Sequence, residues 1–456
     1  MKNMKKLLAV ILAACMTATM CAGCGSAGTP TPAGSGGTPT PAGSGGAAGT
    51  SGQDAPEVEI RFGSNFIGTN AMAEVTQDIL LQFEKDYPNV SIVVEGTAGN
   101  DHQTKILLDA TNNNLPDVFD FWRLDPSFGL NNVAKAGLLA DITDWVNTDE
   151  AFDGLFDEAS WGTATMDGHV YGVPVYGFYI QFLANTEIFE KVGVKIPTTW
   201  DELLDACEKL KAAGYIPFGI NSKDDSSAIR FYDYIMSQKF SNETVLEMHA
   251  GNVPYNTPET VEAVSLIKEL LATNMPEDAN AIDREAVYAK YVNSERAAMM
   301  MDGTWNTSQI SDEVASKLQV IQFPLIPGSV YDEPHVQRDL TKLYYISANA
   351  WADEVKRPYL QELVRRLTSR DAGKRYLEEA GQAIPMLGVD IDESKVPDLA
   401  LRAMDVAYSA PGDKWTLCTL DPNKRTRYYA LLSEYLGSDM TAQEFVDQMD
   451  EIITSG

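Results

Sequence analysis

Beyond residue 56 the chain alternates between apolar positions of period two and apolar positions of period near 3.6. Val58-Glu59-Ile60-Arg61-Phe62 places every second residue on one face, as a half-buried strand does. Met72, Val75, Ile79 and Phe83 then recur at helical spacing, and Pro88 follows them. Val90 to Val94 reads as a second strand, and Asp117-Val118-Phe119-Asp120-Phe121-Trp122 as a third that ends in a polar loop. Thr199-Trp200-Asp201-Glu202 has the Thr-x-x-Glu form of a capping box and opens a helix carrying Leu203, Cys207 and Leu210 on its apolar side. This alternation predicts an α/β protein with largely parallel sheets. Ligands of open α/β sheets sit beyond the carboxyl ends of the strands, so the loops at Ser64–Asn65 and Trp122–Asp125 are expected on a binding face.

The N-terminal pattern is different. Three lysines in Met1–Lys6 precede an apolar run from Leu7 that is short for a membrane span and rich in small residues at its end, which predicts a signal peptide over 1–23. It closes on Cys21-Ala22-Gly23-Cys24-Gly25-Ser26, which resembles a bacterial lipobox with Cys21 where Leu is usual. Leu12-Ala13-Ala14-Cys15 matches the motif more literally but leaves a short apolar core after Lys6, so Cys24 is the expected lipid anchor and Cys15 the alternative. Residues 24–55 are almost wholly Gly, Ser, Thr, Pro and Ala, with TPTPAGSGG repeated at 29–37 and 38–46. With no apolar side chain larger than Ala before the folded part, this segment cannot offset the entropy of folding and reads as a flexible tether. A diacylated cysteine followed by a tether predicts a protein held on the extracellular face of the cell membrane, of a Gram-positive type.

Composition narrows the function. The 456 residues exceed one ordinary core and suggest two or three globular units. Acidic residues number 65 against 35 basic ones, a net charge of −30, which excludes a nucleic-acid partner because phosphate binding needs clustered Lys and Arg. Of five cysteines, only Cys207 and Cys418 lie in the folded part; a buried thiol is expected at Cys207, with a bridge to Cys418 left open. The four histidines are scattered, which offers no zinc spacing, and no Gly-x-Ser-x-Gly elbow falls between a strand and a helix. Paired glycosidase carboxylates cannot be picked out among 65 acids by spacing. The expectation is a protein with no catalytic residues, no cofactor and no metal.

Five segments in order carry a family resemblance. They are His169-Val170-Tyr171-Gly172-Val173-Pro174 with Leu183-Ala184-Asn185-Thr186-Glu187; Val192-Gly193-Val194-Lys195-Ile196-Pro197-Thr198-Thr199-Trp200; Ala297-Ala298-Met299 through Gly303-Thr304-Trp305; Phe323-Pro324-Leu325-Ile326-Pro327-Gly328; and Leu367-Thr368-Ser369. Together they resemble the extracellular solute-binding proteins of carbohydrate ABC importers, the family of maltose-binding protein. Glu295-Arg296 departs from the usual Gly-Lys, and Ala184 from a common Tyr. The resemblance implies a two-lobed periplasmic-binding-protein-like α/β fold with discontinuous lobes and a hinge of crossing strands. The N-lobe would comprise 56–174 plus 342–387 and the C-lobe 175–341 plus 388–456, with crossings near Val173–Tyr176, Lys342–Ile346 and Pro385–Gly388. Its partners would be a small-molecule carbohydrate and the permease subunits of an ABC importer. It would act as a monomer and touch the membrane through the lipid anchor only.

A sugar site needs aromatic planes for C–H faces and carboxylates, amides or Arg for hydroxyls. The resemblance carries Trp122 and Asp125 over as N-lobe contacts and Trp305 as a stacking residue of the C-lobe. Ser64 and Asn65 are candidate hydroxyl partners or helix caps. Phe178, with Tyr176 and Tyr179, would stand beside the hinge. Arg230 and Tyr232, with Asp233, fall where the family places another aromatic, and Asp413 and Trp415 lie in a loop before the final helices. Each aromatic has a core-filling alternative. Three aromatics in one site would favour an oligosaccharide. Competing readings are a non-sugar solute, including a metal ion because Tyr344-Tyr345 resembles the tyrosine pair of ferric-ion-binding relatives, and an adhesin or sensor partner without an importer.

Overall fold

The computed structural model describes residues 56–455 apart from 69, 71, 126, 127, 224 and 225. Cys24, the expected signal peptide and the tether lie outside the described residues. The strand expected at Val58 is β1, Val58–Ser64, and it alternates buried Val58 and Ile60 with exposed Glu59. The strands β2 (Val90–Gly96) and β3 (Val118–Trp122) flank it, both parallel to it. The helical spacing of Val75 and Phe83 becomes the helix Ala73–Asp86, which buries those two residues. The capping box at Thr199 forms as the sequence indicates: Thr199 Oγ1 accepts the Glu202 N–H, Glu202 accepts the Thr199 N–H, and the helix Trp200–Ala212 buries Leu203, Cys207 and Leu210.

Two long strands organise the rest. The strand β4, Gly172–Asn185, is buried along its whole length. It is followed by β5 (Ile216–Phe218), β6 (Ala297–Gly303), β7 (Leu318–Ile321) and β8 (Val336–Ile346). The sheet runs β2-β1-β3-β8-β4-β6-β5, with β7 also on β4. The sheet is mixed rather than largely parallel, because β8 runs antiparallel to both β3 and β4, and β4 antiparallel to β6 and β7. The reason is topological: these two strands do not belong to βαβ units but run through the middle of the molecule and pair with different neighbours at their two ends.

Each long strand contributes to two separate cores. Val173, Val175 and Tyr176 of β4 pack with Val58, Ile60, Phe62 and Phe83, whereas Phe178, Ile180 and Phe182 pack with Trp200, Leu203, Phe231 and Phe323. The change happens at Gly177. A Cβ there would stand 2.5 Å from the Asp339 carbonyl oxygen, so the close approach of the two backbones requires glycine. Beside it the β4–β8 register shifts between Leu340 and Leu343. A third strand of chain passes the same place: Gly177 N–H donates to Ala383 O, and Met386 packs in the first core.

Tyr344 and Tyr345 point to opposite faces of the sheet, as strand periodicity demands, and each is buried in its own hydrophobic cluster. Tyr345 donates to the Trp122 carbonyl at 2.9 Å. They do not form a metal-facing pair, and no cluster of three metal-ligating side chains is present among the described residues. No helix among the described residues is long and apolar enough to cross a membrane. Cys207 and Cys418 are both unbridged and buried, and burial pushes each thiol up to about 12. Since the thiolate is the reactive form, both should resist alkylation at pH 8 in the native protein and react on unfolding without reductant. Peptide-mapped labelling checks this; native labelling of either, or failure to label either after denaturation, would contradict it.

Candidate functional site

A cleft of about 350 Å3 lies between the two cores, over the crossing strands. Its size falls in the range of small-molecule sites, roughly 300 to 1,000 Å3. The first core's side supplies Asn65, Ile67 and Asn70 from the loop after β1, Gly99 from the start of the helix Gly99–Thr111, Trp122 from the end of β3, and Phe128. Tyr176, Phe178 and Lys342 form its floor from β4 and β8. The second core's side supplies Arg230 from the helix Ala228–Phe240, Arg284 and Glu285 from the turn Arg284–Val287, Trp305, Asn306 and Gln309 after β6, and Trp415. A second depression of about 650 Å3 near Asp78, Phe152 and Arg365 belongs to the first core alone and is walled by Arg–carboxylate pairs.

The floor rests on a buried ion pair. The Lys342 ammonium is 2 % exposed and donates to Asp120 Oδ1 at 3.0 Å, with Asp120 fully buried. Asp120 Oδ2 accepts the Asn65 backbone N–H at 2.7 Å, which fixes the loop after β1. On its other side Lys342 lies 3.3 Å from the centroid of the Trp122 ring. Burial lowers the Lys342 pKa and the Asp120 charge opposes that shift. His102 donates Nε2–H to the Asp120 carbonyl at 2.7 Å, and burial lowers its pKa, so the imidazole is neutral. Asn65 Oδ1 in turn accepts the Gly99 N–H at 2.7 Å and caps the helix that begins there.

The walls are aromatic. Trp122 stacks on Phe128 at 5.9 Å and 20°, and Phe128 on Trp415 at 5.8 Å and 29°. Arg425 backs this stack, with Cζ 4.9 Å from the Phe128 centroid, and donates to Gln103 at 3.2 Å. Trp305 meets Phe178 edge to face at 5.2 Å and 85°. Its ring folds back on Gly303, where a Cβ would lie 2.0 Å from Cζ3, so glycine two residues before the tryptophan is a steric requirement of its pose.

Of the residues singled out from sequence, Asn65, Trp122, Tyr176, Phe178, Arg230, Trp305 and Trp415 converge on this cleft. The others do not, among them Asp413, which is buried and pairs with His335. Ser64 is 1 % exposed, and its Oγ accepts the Phe66 N–H at 2.9 Å, as a turn residue. Asp125 lies outside the lining; it pairs with the Arg123 guanidinium, which also reaches Asp339 on β8. Burial opposes the charge of Arg123, but the two carboxylates outweigh it and raise the pKa. Tyr232 is fully buried in the second core, hydrogen-bonded to His249 Nε2 at 3.0 Å and Tyr255 at 2.9 Å. Tyr179 and Asp233 are likewise interior. Sequence reasoning missed Ile67, Asn70, Ala98, Gly99, Phe128, Arg284, Glu285, Asn306, Gln309 and Lys342. Only Lys342 carried a signal, as a cation directly before the apolar run Leu343-Tyr344-Tyr345-Ile346, matched by Asp120 alone among Val118, Phe119, Phe121 and Trp122.

Two predictions concern this scaffold. Asp120→Ala leaves the Lys342 ammonium buried without its counter-charge and should destabilise the fold by about 3–5 kcal/mol in denaturant titration, with part of the loss recovered when Lys342→Met is added. An unaltered midpoint for Asp120→Ala would refute the role given to the pair. His249 is held neutral by burial, which pulls it down to about 4, while Nδ1–H donates to Thr416 O at 3.0 Å. Its folded pKa lies below its unfolded value of about 6.5, so the unfolded state binds the proton first as pH falls. The stability present above about pH 6.5 should therefore decline towards pH 4, by about 3 kcal/mol from this group. His249→Gln should flatten that part of the pH–stability curve; an identical slope in the variant would show that another group is responsible.

The sequence pattern of bacterial extracellular solute-binding proteins matches residues 67–374. A putative binding protein of Brucella abortus is 25% identical over 285 residues, 61% of this chain and 65% of that protein, so the match spans just under two thirds of the relative's length. The multiple sugar-binding protein of Streptococcus mutans is 20% identical over 377 residues, 80% of this chain and 83% of that protein. A solved structure from work on xylan utilization by Caldanaerobius polysaccharolyticus superposes with a TM-score of 0.77 at 24% identity, covering 86% of this chain and 99% of that one. At that identity the likeness shows the fold, the two-lobed α/β architecture with crossing strands between the lobes. Because the family pattern spans well over half of the sequence and the cleft lies where the two lobes meet, the chain belongs to the bacterial extracellular solute-binding proteins.

Proposed function

We propose that this protein binds a carbohydrate, an oligosaccharide, between its lobes and delivers it to the permease subunits of an ABC importer, catalysing nothing itself. The observation that carries the reading is the convergence of Trp122, Trp305 and Trp415 on one cleft beside the amides of Asn65, Asn70, Asn306 and Gln309. Indole faces suit the C–H faces of pyranose rings, and amides both donate to and accept from hydroxyls. The sugar-binding name of the Streptococcus mutans relative supports the same class of ligand.

In this reading residues 56–174 plus 342–387 form one lobe and 175–341 plus 388–456 the other, and closure about the crossing strands encloses the sugar. The change of core on β4 supports a division along that strand, although Val175 and Tyr176 still pack with the first core and the change falls at Gly177. Residues 1–23 direct secretion, Cys24 carries the lipid, and 24–55 tether the binding unit to the extracellular face of the membrane. The working unit in this reading is a monomer.

A cognate sugar should raise the melting temperature by mass action, equivalent to about 3 kcal/mol at a hundredfold excess over Kd. Trp122→Ala and Trp305→Ala should each weaken binding about tenfold or more while the far-ultraviolet spectrum is retained. A thermal-shift screen over defined mono- and oligosaccharides with calorimetry on the hits checks both. Silence across a broad panel would sink the carbohydrate assignment.

A further inference from the structure

We infer that Gln103 and Arg425 form a clasp between the two walls of the cleft, which positions the Phe128–Trp415 stack and favours closure of the lobes. This rests on the movement about the crossing strands proposed above and not on the identity of the ligand. Neither residue lines the cleft. Both are buried behind its wall, each planted on a different side. Gln103 belongs to the helix Gly99–Thr111, whose Ile106 and Ala110 pack with Phe119 and Phe121. Arg425 belongs to the helix Pro422–Gly437, whose Tyr428, Leu431 and Leu432 pack in the second core with Phe231.

The Gln103 amide acts in both directions, as only an amide can. Its Nε2 donates to the Phe128 carbonyl at 3.2 Å, and its Oε1 accepts from Arg425 Nη2 at 3.2 Å, across 322 residues of sequence. Arg425 in turn holds both rings of the stack, with Cζ 4.9 Å from the Phe128 centroid and 5.3 Å from that of Trp415. Trp415 packs against hydrophobic clusters on both sides, that of Phe231 and that of Phe121. One amide and one guanidinium thus tie the Phe128 main chain on one wall to the Trp415 indole on the other. The bond joins protein atoms alone, so it holds whatever sugar the cleft receives.

Parting of the walls returns the Arg425 guanidinium to water and uncovers Phe128 and Trp415. Closure exchanges that water for a charge-assisted hydrogen bond and two ring faces. Arg suits the exchange because its guanidinium is weakly hydrated and lies flat on a ring, which an ammonium does not. Burial of the two aromatic rings acts in the same direction. The junction continues on the outer surface as a groove of about 530 Å3, with Leu107, Thr111 and Asn132 on one side and Asp421, Pro422 and Asn423 on the other. Thr111 and Asn423 are exposed there, so labels on them report the separation of the two walls.

Pulsed electron paramagnetic resonance on the purified full chain, spin-labelled at Thr111→Cys and Asn423→Cys with no sugar added, provides the test. The chain without these two substitutions, labelled alike, supplies the background. Arg425→Met and Gln103→Ala should each lower the ratio of short-distance to long-distance populations about tenfold. Arg425→Lys, which keeps the charge and a donor, should retain part of the short-distance population. The double variant should lose less than the product of the two single losses, because both remove the same hydrogen bond. If Arg425→Met does not fold, Gln103→Ala, which lies on the opposite wall, carries the test alone. An unchanged distance distribution in the folded variants would overturn the clasp, as would independent, fully multiplicative losses in the double variant. Neither result touches the sugar reading, and a sugar panel that binds nothing leaves this measurement standing.

Discussion

The contact on which this molecule depends is the buried pair between Lys342 and Asp120. An ammonium that is 2 % exposed in the middle of a sheet is tolerated only beside a counter-charge, and Asp120 is the one that meets it. The register makes the meeting possible: Lys342 stands opposite Trp122 and Tyr344 opposite Asp120, so Lys342 and Asp120 are diagonal neighbours on one face. A slip of one residue would send Lys342 to the other face and leave both charges unpaired. The pair therefore selects the alignment of β8 on β3, and with it the position of Trp122 over the cleft. Through its second oxygen Asp120 also sets the loop that presents Asn65.

From that alignment follows the two-core plan. Because β8 and β4 are locked at one end to the first core, their other halves are free to build a second, and the change of partner is confined to the few residues around Gly177. Glycine is needed there because the Asp339 carbonyl takes the space of a side chain. The bridge from Arg123 to Asp339 ties the loop after β3 to the same point. Asp125, expected at a ligand, instead completes this arrangement by pairing with Arg123.

The site is then a matter of which aromatic residues remain outside the cores. Trp200 and Tyr232 are spent on packing, and Tyr232 is further committed to His249 and Tyr255. Trp122, Trp305 and Trp415 are only partly covered and line the cleft. Trp305 owes its pose to the absent side chain of Gly303. The polar residues sort differently: Asp120 and Asp302 are drawn behind the wall to hold it together, while Glu285 and the amides of Asn65, Asn306 and Gln309 line the cleft.

Local structure could be read from neighbouring residues. The period of apolar residues marked β1 and the helix Ala73–Asp86, the Thr199–Glu202 pair marked a helix start, and ordered motifs indicated a fold in which Trp122, Trp305 and Trp415 could share a site. These are short-range properties, set by side-chain direction and backbone caps within a few residues. Tertiary structure decided the rest. It moved Ser64 to a turn, Tyr232 to a core and Asp125 to a structural ion pair, and it brought Phe128, Arg284, Asn306 and Lys342 to the cleft. Periodicity says which face a side chain takes but not what stands across from it. Here that depends on segments more than 200 residues apart, as with Asp120 and Lys342, whose meeting is decided only when the two long strands pair.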